Sequence, residues 1–162
     1  MTSWLRRARQ PQPSQQEPEE DRDAPDKLRQ RLWVQVQFVN RNAGALPVEA
    51  VVLARQVTDA IREVIEVSTD KTLDVYAIVQ VNGIVDDYLP TTLQAYLNLD
   101  PAVTDMPSAS GRSPRAALRE QLESLRTAAG ELLQAARSHD VDLLFTQGNF
   151  LRTKFTRSDL DL

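Results

Sequence analysis

Apolar residues recur along this chain mainly at steps of three and four, the spacing that places them on one face of a helix. From Val48 to Val67, residues Leu53, Val57, Ile61, Val64 and Ile65 share a face, with Arg55, Asp59, Arg62, Glu63 and Glu66 away from its centre. This predicts an amphipathic helix, preceded by a Gly44 stop and a Pro47 start. The most regular pattern comes later, where Leu118, Leu122, Leu125, Ala129, Leu132 and Ala136 alternate spacings of four and three. Ser113 as N-cap and Pro114 in the first turn open that helix, and Ser138-His139-Asp140 closes it. The seam is short and contains two alanines, so it predicts packing within a bundle rather than a free-standing coiled coil.

Between these helices runs Val75 to Leu99, the most apolar and nearly uncharged stretch. Leu73, Tyr76, Ala77, Ile78, Val79, Val81, Ile84 and Val85 would cover most of a helical circumference, which predicts a core helix buried on several sides. Pro90 disfavours helical geometry at Leu89, so a corner is expected at Tyr88-Leu89-Pro90, followed by a short helix from Thr92 to Leu99. Asp70 or Thr72 is the expected cap of the core helix, after a turn at Ser68 to Lys71. Asp26 to Asn42 carries two conflicting periods. Leu28, Leu32, Val36 and Val39 fit a helix, whereas Leu32, Val34, Val36 and Phe38 alternate with polar or aromatic neighbours as in a strand. The helix is preferred because no second strand is visible to pair with it. Asp100 to Arg112 reads as an exposed loop, and Leu144, Gly148, Leu151 and Phe155 as one face of a last helix in which Gly148 permits close approach.

Together these elements predict an all-α fold: one bundle of four or five main helices over residues 26–156, with a short extra helix and disordered termini. Residues 1–25 form a Pro-, Gln- and acid-rich arm with a basic head, and 157–162 a frayed tail ending in Asp159-Leu160-Asp161-Leu162. With 162 residues, a single domain buries roughly two-thirds of its unfolded surface. The net charge of −4 argues against a nucleic-acid partner bound by general phosphate neutralisation. The absence of cysteine removes disulfides, thiolate metal sites and thiol catalysis. No uncharged run approaches the roughly 20 apolar residues of a spanning helix, and the N-terminus lacks the apolar region of a signal peptide, so a cytoplasmic location is expected.

Candidate chemistry is sparse. His139 is the single histidine and sits beside a helix end, better suited to a surface or dipole role than to a base. Asp86-Asp87 and Asp140-x-Asp142 are the carboxylates from which an Mg²⁺ or Mn²⁺ phosphohydrolase site would have to be built. Adjacent carboxylates on a helix point about 100° apart, however, and solvated or capping roles suit them better. Phosphate-binding glycine loops, the GxSxG elbow and HExxH are all missing, and no cofactor or metal is implied. Trp4 and Leu5 beside Arg6, Arg7 and Arg9 combine an apolar anchor with positive charge, as a membrane-surface or partner tether does.

The run Tyr88-Leu89-Pro90-Thr91-Thr92-Leu93, followed by Tyr96-Leu97 and the later Asp140-x-Asp142 leading to Phe150-Leu151 and Phe155, resembles helical bacterial proteins of the XpaC type, labelled bromo-chloroindolyl phosphate hydrolysis proteins. The resemblance covers roughly Leu46 to Phe155. It implies a TelA-like protein partner and a phosphatase-related phenotype, without assigning a catalytic residue. Tyr88, Pro90, Thr91, Thr92 and Tyr96 match the motif and are the candidate partner-binding residues. The leading expectation is a non-enzymatic helical adaptor in an envelope-stress or toxic-anion response, with a carboxylate-metal phosphohydrolase and a peripheral membrane-binding protein as alternatives.

Overall fold

The computed structural model describes residues 22–70, 73–138 and 148–155. The described chain is all-α, and five α-helices carry it: α1 (Pro25–Asn42), α2 (Val48–Asp70), α3 (Val75–Asn82), α4 (Leu89–Leu97) and α5 (Pro114–Ser138). A π-helical turn, Gly83–Tyr88, joins α3 to α4, a 3-10 turn spans Pro101–Val103, and residues 148–155 are helical. The conflicted stretch 26–42 is a helix, consistent with its lack of a strand partner.

Helix α2 is the centre of the bundle. It packs along α5 on one side and α1 on the other, while α4 lies against α5. Its core face is Ala50, Ala54, Val57, Ile61, Val64 and Ile65, all essentially without solvent contact. The facing stripe of α5, from Leu118 through Leu122, Leu125, Ala129 and Leu132 to Ala136, is buried as its spacing predicts. Each large side chain sealed in this seam contributes about 1.5–3 kcal/mol of transfer free energy. Ser113 caps α5 as expected, accepting from the Ala116 amide at 3.2 Å. The Arg115 guanidinium then ties the start of α5 to α2 through Glu49, with a bond of 2.6 Å from Nε. That bond and the charge behind it hold the Glu49 carboxyl below its ordinary range.

Two expectations change in the middle of the chain. First, α2 runs on through Ser68 to Asp70, past the expected start of the turn, and Asp74 caps α3 by accepting from the Tyr76 amide at 2.8 Å. Thr72 lies outside the described residues. Second, there is no corner at Tyr88-Leu89-Pro90. Leu89 has helical angles, φ −67 and ψ −53, and the backbone passes from α3 through the π turn into α4. Proline in a helix crowds the carbonyl four residues back and removes one hydrogen bond. The wider turn immediately before Pro90 relieves that crowding, with the Leu89 amide bonding to the Ile84 carbonyl five residues back.

Candidate functional site

The outer face of α3 is the feature that the apolar pattern misplaced. Ala77, Gln80, Val81, Ile84 and Val85 turn into the core, but Val75, Tyr76 and Val79 are 66%, 41% and 53% exposed. The core helix is therefore buried on one side and open on the other, since no described neighbour covers positions 75 and 79. From Val75 to Val85 the chain has no charged residue, so this face is apolar with no ionic competitor on its own helix. Asp74 borders it at one end, and Asp86 and Asp87 follow at the other.

At the π turn the two aspartates serve different partners. Asp86 Oδ2 accepts from Arg22 Nη2 at 2.9 Å and from Arg31 Nη1. Arg31 also donates to Asn82 Oδ1 at 2.7 Å, and Asn82 Nδ2 donates to Asp23 Oδ1 at 2.8 Å. Residues 22 and 23, expected within a disordered arm, are thus fixed against α3 and the π turn. Asp87 instead accepts from Thr91 Oγ1 at 3.2 Å, within the same helical path. The pair does not converge, and Asp86 is already neutralised by two guanidinium groups. Among the described residues no group of three or more metal-ligating side chains comes together. Asp140, Asp142 and His139 lie outside the described residues, as do Trp4, Leu5, Arg6, Arg7, Arg9 and the Asp159–Leu162 tail.

The motif residues expected to meet a partner divide between core and surface. Thr92 is buried, and Tyr88 and Tyr96 are half-buried against the core. The Tyr88 ring stacks on Phe155 with centroids 5.0 Å apart, and its Cε2 edge lies against Gly83. Bonds five residues apart in the π turn bring Tyr88 over Gly83, where a side chain would collide with it. Burial, reinforced by the Asp87 charge, pushes the Tyr88 hydroxyl above its ordinary value, while Arg152 opposes the shift. Thr91 is exposed and Pro90 half-exposed.

Gly148 admits the close approach expected of it, since a Cβ there would stand 2.0 Å from Gln80 Nε2 on α3. Leu151 and Phe155 are buried beyond it, whereas Phe150 is exposed with Lys154 Nζ 5.7 Å from its ring centre. A second apolar surface lies between α2 and α5, an open groove with Val48, Val52 and Leu53 along one wall and Arg119, Glu123 and Arg126 along the other. Its walls carry charge of both signs. The α3 face is the more distinctive of the two, and sequence reasoning missed it because an uncharged segment carries no polar residue to mark its outer side. No helix of the described residues is long and apolar enough to cross a membrane. No family model, curated protein or solved structure matches this chain.

Proposed function

We propose that the chain is a non-enzymatic helical interaction protein that receives a protein partner on the outer face of α3. The observation that carries this reading is the exposure of Val75, Tyr76 and Val79 on a charge-free segment. Sealing a large apolar side chain is worth about 1.5–3 kcal/mol. A partner with a matching apolar face recovers that free energy. The ion network at Arg22, Arg31 and Asp86 stiffens the end of this face, so a partner meets a preformed helix and forfeits little ordering entropy on binding.

The resemblance to XpaC-type proteins supports a TelA-like protein as the first partner to test, in an envelope-stress or toxic-anion response, from a cytoplasmic position peripheral to the inner face of the membrane. The experiment is titration of a purified TelA-like protein against wild type, Val79→Glu and Val48→Glu by calorimetry. Binding to wild type and Val48→Glu with loss in Val79→Glu supports the reading, because Val48 is an exposed valine on the α2 groove rather than on α3. Binding unaffected by Val79→Glu places the partner elsewhere on the protein.

A further inference from the structure

The geometry points to a second copy of this chain as the occupant of the α2–α5 groove: the ridge of α3, Val75 and Val79, seats on Val52 and Val48 of the next molecule, with Asp74 facing Arg126. The contact is head-to-tail, since it joins two different surfaces of the same protein. It rests on the α3 reading only in taking that ridge as a docking surface, and it adds a self-associated form from which a partner must compete for the ridge.

Two observations carry the inference. The first is shape. Helices α2 and α5 run side by side in the same direction, tied by Arg115 to Glu49 near their starts and by Arg137 to Glu63 further along. Between them the groove extends from Val48 to Gln56 on α2 and from Arg119 to Arg126 on α5, about 12 Å at the usual rise. Helix α3, eight residues from Val75 to Asn82, is about as long. Val48 and Val52 stand one turn apart and are 78% and 48% exposed; Val75 and Val79 have the same spacing and are 66% and 53% exposed. A convex apolar ridge thus matches a concave apolar strip in length and in period. Two ridges pressed together would leave both grooves empty.

The second observation is charge. Of the ionic residues lining the groove, Glu49 is held by Arg115 through two bonds, 2.6 and 3.0 Å long, and Arg119 stands 3.9 Å from Glu123. Arg126 makes no ion pair with any described residue. From Thr72 to Gly111 the sequence has no lysine or arginine. At the far end of the ridge Asp86 is matched by Arg22 and Arg31, and Arg152 opposes Asp87 in its effect on the Tyr88 hydroxyl. Asp74, exposed at the near end, accepts from the Tyr76 amide and makes no ion pair with any described residue. One unmatched acid therefore borders the ridge and one unmatched cation borders the groove. Pairing them lays α3 antiparallel to α2, with Val75 over Val52 and Val79 over Val48.

The test is sedimentation velocity of the full chain alone across a range of micromolar concentrations. Wild type should sediment faster as concentration rises, while Val79→Glu and Val48→Glu, both at exposed positions, should remain monomeric. An equimolar mixture of those two variants should form a dimer and nothing larger, because Val48→Glu keeps an intact ridge and Val79→Glu an intact groove. Arg126→Glu, and Asp74→Asn, which keeps an acceptor for the helix cap, should each weaken association several-fold. The inference is overturned if wild type stays monomeric, if either valine variant associates as wild type does, or if the mixture remains monomeric. Association unaffected by both charge changes also overturns it. No partner is present in this assay, so its failure leaves the calorimetric test of the proposed partner standing on its own result.

Discussion

Replacing Gly83 and Gly130 by alanine, one at a time, isolates the packing that shapes the π turn. Both glycines sit in helical backbone, where alanine is favoured over glycine by about 1 kcal/mol. At Gly130, in the exposed part of α5, a new Cβ meets nothing within 4 Å. At Gly83 it would stand 2.9 Å from Tyr88 Cε2 and 3.4 Å from Cζ. Carbon atoms prefer about 3.5–4.0 Å, so the ring must move, and it is stacked on Phe155 with centroids 5.0 Å apart. Overpacking of that kind costs about 1–3 kcal/mol. Gly130→Ala should therefore stabilise by about 1 kcal/mol, while the same change at Gly83 ends near zero or destabilises by up to about 2 kcal/mol once propensity and overpacking are summed. Urea denaturation followed by far-ultraviolet circular dichroism measures both midpoints, with an unchanged slope showing that the folded and unfolded states remain comparable. In a Tyr88→Ala background the obstacle is gone, and Gly83→Ala should become as favourable as Gly130→Ala. If Gly83→Ala raises the wild-type midpoint as much as Gly130→Ala does, the stacked arrangement of Gly83, Tyr88 and Phe155 is wrong.

Three further outcomes follow from the same contacts. The Tyr88 hydroxyl has its pKa raised by burial, so the stability it contributes is fully present below the unfolded value of 10.0 and is lost as pH rises through the higher folded value; urea midpoints should fall more steeply between those two values in wild type than in Tyr88→Phe. Asp86→Asn removes the carboxylate shared by Arg22 and Arg31 at a partly exposed site, where the loss is about 1 kcal/mol; hydrogen exchange should quicken at residues 22–30 while the core of α2 stays protected. The loop between α4 and α5 is exposed almost throughout, so within residues 73–138 limited trypsin digestion should cut first after Arg112, as mass spectrometry of the fragments will show.

The sequence was most legible where polar residues mark the outside of a helix. On α2 and α5 the charged positions define the core face by exclusion, and Val57, Ile61, Val64 and Ile65 are buried as the spacing selects, whereas Leu53 is only partly buried and lines the open groove while Ala50 and Ala54 fill the core in its place. Gly148 was readable for a related reason, since a glycine amid Leu151 and Phe155 on one face serves close contact better than it serves a helix. The α3 segment was not readable in this way. From Val75 to Val85 only Gln80 and Asn82 are polar side chains other than the tyrosine hydroxyl, and Gln80 is buried. Hydrophobicity there fixed the helix but not its inward side. Pro90 misled for a different reason: its steric rule concerns an ordinary α-turn, and the chain answers it by widening the turn before it. The network around Asp86 joins residues 55 and 64 positions apart, and no local pattern encodes such a pairing.

The claim on which the functional account rests is that the outer face of α3 is a docking surface. The chain contains no cysteine, so Val79→Cys introduces a unique thiol on that face and Val48→Cys a solvent-facing control on α2. Each variant is mixed with the TelA-like candidate, a thiol-reactive photocrosslinker is activated, and the products are weighed by mass spectrometry. A discrete adduct from position 79, with little from position 48, is the predicted result. Equal adducts from both positions, or an adduct from position 48 alone, would contradict it.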